Sequence, residues 1–219
     1  MPYSYSQYTT HKSCGYKYKL AYIDKVPVDR GVSSPAMERG SRMHDSAEAY
    51  VLGSDELDPE LDGYKQWLFN LRENYDCRPE LQWAYLPDWT PTDFKDPDAY
   101  VRGIWDLMIL PHDEAQSLDV KEYKTGKIYD DHDGQRHLYG LAGMLMFPQF
   151  KSVNVETVYF DKKKANSNTW SLSQLDEMKK VWQDRFHIMT LEASYIPNPS
   201  WTCRFCDFSK QKGGPCRFG

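Results

Sequence analysis

The chain has no apolar run that approaches the length of a membrane span, and its opening residues, Met1-Pro-Tyr-Ser-Tyr-Ser6, lack the apolar core of a secretory signal. A cytoplasmic protein with no membrane partner is therefore expected. Basic charge is not in excess either. Lys and Arg number 27 against 32 Asp and Glu, a formal net charge of −5, which excludes a global electrostatic footprint for nucleic acid. Any contact with DNA has to come from a local patch, to which a bound divalent cation would add positive charge. Cysteine is scarce. Five cysteines in a chain with no secretory signal argue for metal or cluster ligation over a disulfide framework. There is no internal repeat, no low-complexity tract and no marked boundary, so residues 1–219 are read as a single α/β domain. Aromatic rings are abundant, with 16 Tyr and 7 Trp; most belong in the core, and some can stack on unpaired bases.

Taken in order, residues 1–30 open with a Ser- and Tyr-rich helix that Ser4 or Ser6 can cap. Pro27, Gly31 and Ser33-Ser34-Pro35 then break the chain. Pro35 marks the first turn of a second helix running to about Tyr50, on which His44 and Glu48 share a face one turn apart. A further helix spans 60–75 and is ended by Cys77 and Pro79; Cys77 is read as a packing residue. Strands are expected over Glu80–Leu86, around Gly103-Ile-Trp-Asp106, over Leu118–Lys124 and over Val153–Phe160, with a turn at Pro111–Glu114. Gln135-Arg-His-Leu-Tyr139 opens an apolar helix after the polar loop Tyr129–Gly134. Lys162-Lys163-Lys164 with Asn166-Ser-Asn reads as a basic turn able to meet phosphate, and about 171–193 as a long amphipathic helix.

The chemistry concentrates in Leu118-Asp-Val-Lys-Glu122-Tyr123-Lys124-Thr-Gly126. Side chains alternate along a strand, so Glu122 and Lys124 share one face and Asp119 and Lys121 the other. Only one pair can serve a given site. Glu122 and Lys124 are preferred because they sit at the C-terminal end of the strand, beside Thr125-Gly126, where a site can open. Together with Asp106 on a neighbouring strand they form an acid–acid–base cluster. Two carboxylates can hold a hard cation such as magnesium, and a lysine can steady an attacking water or the charge developing on a phosphate. That is the equipment of metal-assisted phosphodiester hydrolysis. An alternating acid–lysine strand is also a common solvated surface, so the triplet by itself decides little.

The second concentration is Trp201-Thr-Cys203-Arg-Phe-Cys206, followed after a Gly-Gly-Pro loop by Cys216. Thiolates at this spacing suit zinc or an iron–sulfur cluster, and Cys14 is the available fourth ligand. Spacing alone leaves four-cysteine Zn2+ and a [4Fe–4S] cluster both open.

These motifs, in this order, resemble the RecB-type branch of the PD-(D/E)XK nucleases, specifically its iron–sulfur exonucleases, which include the CRISPR-associated RecB-like and phage enzymes. Ser4-Tyr-Ser6 to Cys14, Arg39-Gly-Ser-Arg-Met-His44, Gly103-Ile-Trp-Asp106, Glu122-Tyr-Lys124-Thr-Gly126, Gln135-Arg-His-Leu-Tyr139 and Trp201 to Cys216 each match a family motif. Two positions depart from the pattern: Gly15 replaces a common Pro, and Glu122 a commoner Asp. The resemblance implies a restriction-endonuclease-like core, a mixed sheet of about four strands flanked by helices. It implies that His44, Asp106, Glu122 and the carbonyl of Tyr123 bind Mg2+ or Mn2+, that Lys124 activates water, and that Gln135 and Tyr139 hold DNA or orient the lysine. Cys14, Cys203, Cys206 and Cys216 would hold a [4Fe–4S] cluster joining 1–30 to 195–219.

The function so implied is a metal-dependent DNA exonuclease acting on linear ends, single- or double-stranded, in recombination, replication or repair, with a recombination partner protein and a host-cytoplasmic location if phage-encoded. The rivals are a CRISPR-adaptation nuclease working with a CRISPR partner, and a non-catalytic DNA-end-binding protein of the same fold. The complete set of catalytic residue types weighs against the last.

Overall fold

A five-stranded sheet in the order β1-β2-β3-β4-β5 forms the frame of the larger part of this computed structural model, which describes residues 1–28, 34–110, 116–129 and 131–218. In chain order the elements are α1 (Tyr5–Ser13), α2 (Gly15–Tyr18), a π-helical turn (Lys19–Ile23), α3 (Pro35–Val51), α4 (Lys65–Asn74), β1 (Asp76–Tyr85), β2 (Val101–Leu110), β3 (Ser117–Lys124), α5 (His132–Met146), β4 (Ser152–Tyr159), β5 (Lys164–Ser171) and α6 (Leu175–Ile188). Contacts divide the chain into two units, residues 1–2 with 34–180 and residues 3–33 with 181–219; the boundary falls within α6. Among the described residues no helix is long and apolar enough to cross a membrane.

In the larger unit β3 and β4 run parallel and the other neighbours antiparallel. The parallel pair requires a crossover, which α5 supplies. On one face Met43, Ala47 and Tyr50 of α3 and Leu68 and Leu71 of α4 pack with Leu107, Ile109, Tyr123, Val158 and Phe160. Leu118 has the opposite parity on β3 and therefore faces the other way, where α5 lies. A methyl group on Gly143 would meet Val153 at 3.0 Å, and one on Gly140 would meet the Trp170 ring at 2.5 Å. Those two glycines let the helix backbone settle onto the sheet.

Several elements differ from the sequence expectation. Cys77 and Pro79 lie inside β1, because β1 is an edge strand and an edge tolerates a residue with no donor. The basic turn after β4 is shorter than expected: Lys164 already begins β5, which pairs with β4 along Ser152–Tyr159 despite its polar, exposed composition. That makes five strands where about four were expected. α5 starts at His132, and α6 covers only Leu175–Ile188. The expected turn at Pro111–Glu114 lies outside the described residues.

Gly103 sits opposite Trp83 in the β1–β2 ladder, and a Cβ there would stand 2.2 Å from the Trp83 ring. Trp83 is 1% exposed and cannot withdraw to solvent. Gly103→Ala is expected to lower stability by about 1–3 kcal/mol through overpacking, read as an earlier denaturant midpoint at unchanged m-value; an unshifted midpoint would show that Trp83 has room to move.

Candidate functional site

β2 and β3 pair from Ile109↔Asp119 to Leu107↔Lys121, and the ladder ends there. Beyond it the two strands part, and the residues exposed by the parting are Asp106 on one side and Glu122 to Lys124 on the other. The Asp106 carboxylate crosses the gap: its Oδ2 accepts the Tyr123 backbone N–H at 2.6 Å. A charge-assisted bond of this kind is among the stronger ones available to a backbone donor.

Glu122 is 5% exposed. Its Oε1 accepts from Lys124 Nζ at 2.5 Å and from Gln135 Nε2 at 2.7 Å. Gln135 Nε2 also donates to the Tyr139 hydroxyl at 3.1 Å, and that hydroxyl donates to the Ile104 carbonyl at 2.8 Å. Gln135 and Tyr139, one turn apart on α5, are both buried, and their bonds orient the Glu122 carboxylate. Its other oxygen, Oε2, is buried with no hydrogen-bond partner among the described residues. A buried, unsatisfied carboxylate oxygen is costly and is the position a cation would satisfy. His44, on α3, places Nδ1 3.5 Å from Asp106 Oδ2. Two carboxylates and an imidazole suit magnesium or manganese. As they stand, no three His, Cys, Asp or Glu side chains among the described residues converge closely enough to hold an ion, so binding one would draw these donors inward.

The electrostatics follow from the crowding. Burial, followed by the Asp106 charge, pushes the Glu122 carboxyl up to about 7. Burial alone would lower His44 and Lys124, but their carboxylate neighbours, Asp106 for the imidazole and Glu122 for the ammonium, outweigh it and both are raised.

The rival pair is set apart. Lys121 Nζ meets Glu156 at 3.0 Å, and Asp119 accepts from Asn154 at 2.8 Å. Glu80 was missed by the sequence reading. It lies between the pairs Pro79↔Leu107 and Leu81↔Trp105, facing Asp106 across an interrupted ladder, with a left-handed φ of 50°. Holding a non-glycine residue there costs about 1–2 kcal/mol. Partial burial, then Asp106 and Glu48, raise its carboxyl. A Pro-Glu dipeptide inside a strand was the available signal.

The loop after β3 is clamped. Gly126, at φ 86°, donates its N–H to Asp161 Oδ2 at 2.6 Å. Arg39 grips the same carboxylate with two nitrogens, at 2.7 and 3.1 Å, and also pairs with Glu60 at 2.5 Å. Next to Arg39, a Cβ on Gly40 would come within 3.2 Å of Thr125 Oγ1.

In the smaller unit, Cys14, Cys203, Cys206 and Cys216 all line one cavity of about 260 Å³, and all four are free. Backbone N–H groups point at two of the sulfurs: Lys17 and Asn198 at Cys14, both at 3.4 Å, and Ser200 at Cys203 at 3.3 Å. The Lys17 and Ser200 contacts are local capping bonds, the Asn198 contact is long-range, and among the described residues no three of these sulfurs converge closely enough to hold an ion. Gly15 has its own reason to be glycine, since a Cβ there would stand 1.9 Å from the Ser194 carbonyl oxygen. Cys77 belongs to the larger unit, where it packs against the core.

A family model described as the PD-(D/E)XK nuclease superfamily matches residues 2–211. No curated protein matches. Among solved structures, one described as the crystal structure of SSO0001 is 16% identical, with a TM-score of 0.47, over 96% of this chain and 84% of that one.

The Glu122 shift fixes a pH dependence. Its folded-state pKa of about 7 lies above the unfolded value of about 4.3, so its contribution is fully present below the unfolded value and is lost as pH rises through the folded one. Chelator-treated wild type should therefore lose up to about 4 kcal/mol relative to Glu122→Gln between about pH 4.3 and about 7. Parallel stability curves for the two proteins across that window would contradict the assignment.

Proposed function

The chain belongs to the PD-(D/E)XK nuclease superfamily, and on that premise we propose that it is a divalent-metal-dependent DNA exonuclease that resects linear ends for recombination, replication or repair. The observation that carries the reading is the parting of β2 and β3 at Leu107↔Lys121, with Asp106, Glu122, Lys124 and His44 at the opening. Asp106, Glu122 and His44, with the Tyr123 carbonyl, would hold Mg2+ or Mn2+. The ion, when bound, supplies charge neutralisation at the phosphate and a water of lowered pKa.

The residues of the chain do the rest. Lys124 holds the attacking water and faces the charge that develops on the phosphate. Glu122 keeps Lys124 in place through the 2.5 Å contact, and Gln135 keeps Glu122 in place. The Tyr123 N–H fixes the Asp106 carboxylate so that its remaining lone pairs face the opening. His44 adds a nitrogen donor, which manganese accepts more readily than magnesium does.

Cys14, Cys203, Cys206 and Cys216 are assigned a [4Fe–4S] cluster. What supports this is that the four cysteines, with Cys203, Cys206 and Cys216 far in sequence from Cys14, line one cavity.

Lys124→Ala is expected to abolish digestion of end-labelled linear DNA with magnesium or manganese while leaving folding intact, since a group acting mainly on the transition state lowers turnover more than binding. Wild type should degrade linear but not circular DNA, and chelator should stop it. Normal turnover in Lys124→Ala with a dead Lys121→Ala would transfer the site to the other face of β3; an inactive wild type that still binds DNA ends would make this a binding protein.

For the cysteines, protein purified without oxygen should be brown, with about four iron and four sulfide per chain. Serine at any of the four should lower iron content and melting temperature, while Cys77→Ser keeps its iron. Colourless protein with one tightly held zinc would replace the cluster but leave the nuclease assignment standing.

A further inference from the structure

α5 carries a third polar residue on the stripe that serves the opening. His132, Gln135 and Tyr139 are spaced i, i+3 and i+7, so they share one face of the helix. Gln135 reaches Glu122, and Tyr139 reaches the Ile104 carbonyl. His132, in the first turn, reaches Tyr159. Its Nδ1 lies 2.8 Å from the Tyr159 hydroxyl, and the two rings stack with centroids 5.5 Å apart.

Tyr159 is in turn the neighbour of Lys124. The two pair across the parallel β3–β4 ladder, as Glu122 pairs with Thr157. Paired residues point to the same face, and adjacent strands lie about 4.8 Å apart. Thr157 meets Arg136 of α5 at 3.1 Å, so this is the face that α5 covers and on which Glu122 and Lys124 stand. The imidazole therefore sits on the catalytic face, one strand over from the lysine. The exposed Tyr129 ring meets it edge-on at 5.8 Å.

The burial of Tyr159 fixes the tautomer of this imidazole. Tyr159 is 1% exposed, and among the described residues its hydroxyl bonds only to His132 Nδ1. A buried hydroxyl proton needs an acceptor. Nδ1 is that acceptor, so Nε2 carries the ring proton. The opposite tautomer would strand the phenol proton in the core. Burial, followed by the Lys124 ammonium, lowers the pKa of the ring, which leaves it uncharged near neutral pH. Nε2 makes no hydrogen bond among the described residues and is not buried. An uncharged N–H donor is thus held beside Lys124 with nothing to donate to.

We infer that His132 is a further catalytic residue, its Nε2–H donating to a non-bridging oxygen of the scissile phosphate at Lys124. The inference rests on the nuclease reading and adds to it a donor that neither the proposed metal ligands nor the lysine supplies. A fixed N–H aimed at an oxygen whose charge grows in the transition state stabilises it without reorganisation. Being uncharged, the ring avoids repulsion with the Lys124 ammonium and with a bound cation.

The test is single-turnover cleavage of end-labelled linear DNA by the full chain in magnesium. In His132→Asn the side-chain amide keeps an acceptor near the Nδ1 position for the Tyr159 hydroxyl but cannot reach the Nε2 position. This variant is expected to cleave about a hundredfold more slowly, with DNA affinity, manganese affinity by calorimetry and melting temperature unchanged. In His132→Gln the amide nitrogen reaches further, and about tenfold of that loss is expected to return. Tyr159→Phe, which releases the tautomer, is expected to slow the wild type but not His132→Asn, because the two residues act as one unit. A His132→Asn rate within about threefold of wild type overturns the inference. So does equal slowness of the Asn and Gln variants, or further slowing of His132→Asn by Tyr159→Phe. A loss matched by weaker manganese binding or a lower melting temperature makes the residue structural and overturns it too. Wild type that cleaves no linear DNA overturns the nuclease reading as well.

Discussion

One hydrogen bond governs the opening in the sheet. Where β2 and β3 stop pairing, the Tyr123 N–H would be left without its ladder partner, and Asp106 Oδ2 takes it at 2.6 Å. The bond does two things at once. It lets the strands part without orphaning a backbone donor, and it anchors a carboxylate at the mouth of the gap. Glu122 is then forced to face a second carboxylate from a buried position, which raises its pKa. Lys124 and Gln135 compensate at one of its oxygens, and the other has no hydrogen-bond partner among the described residues. Strain, crowding and an orphaned acceptor are gathered where a cation would relieve them.

The supporting elements explain why the motif residues are what they are. Arg39 and Gly40 do not touch Asp106 or Glu122; they secure the loop after β3, Arg39 through Asp161 and Gly40 by leaving room for Thr125. Gly103 makes space for Trp83, and Gly140 and Gly143 of α5 let that helix carry Gln135 down to Glu122. Packing and chemistry are coupled through these small residues.

Much of this was legible from residue order. Strand parity separated Glu122 and Lys124 from Asp119 and Lys121, and the structure gives the latter two their own partners, Asn154 and Glu156. The i, i+4 spacing of Gln135 and Tyr139 placed both on one face of α5; that they meet Glu122, with Gln135 bridging to the tyrosine, depends on how the helix crosses the sheet, which spacing does not encode. β5 escaped because Lys-Ala-Asn-Ser-Asn-Thr has no apolar alternation, and its strand character comes from pairing with β4. Glu80 escaped because a left-handed residue inside a strand is a tertiary outcome. Cys203, Cys206 and Cys216 stood out by their spacing and Cys14 was the fourth cysteine available; that all four line one cavity, and that the Asn198 N–H meets Cys14, are tertiary outcomes, whereas the Lys17 and Ser200 contacts are local turns.

The central claim is that Asp106 and Glu122 form one divalent-metal centre at the opening between β2 and β3. Calorimetric titration of manganese into the chelator-stripped protein, beside Asp106→Asn and Glu122→Gln, addresses it most directly. The account predicts binding by the wild type that weakens at least tenfold in each variant, with proton release near neutral pH as Glu122 ionises. Equal manganese affinity in all three proteins would contradict it.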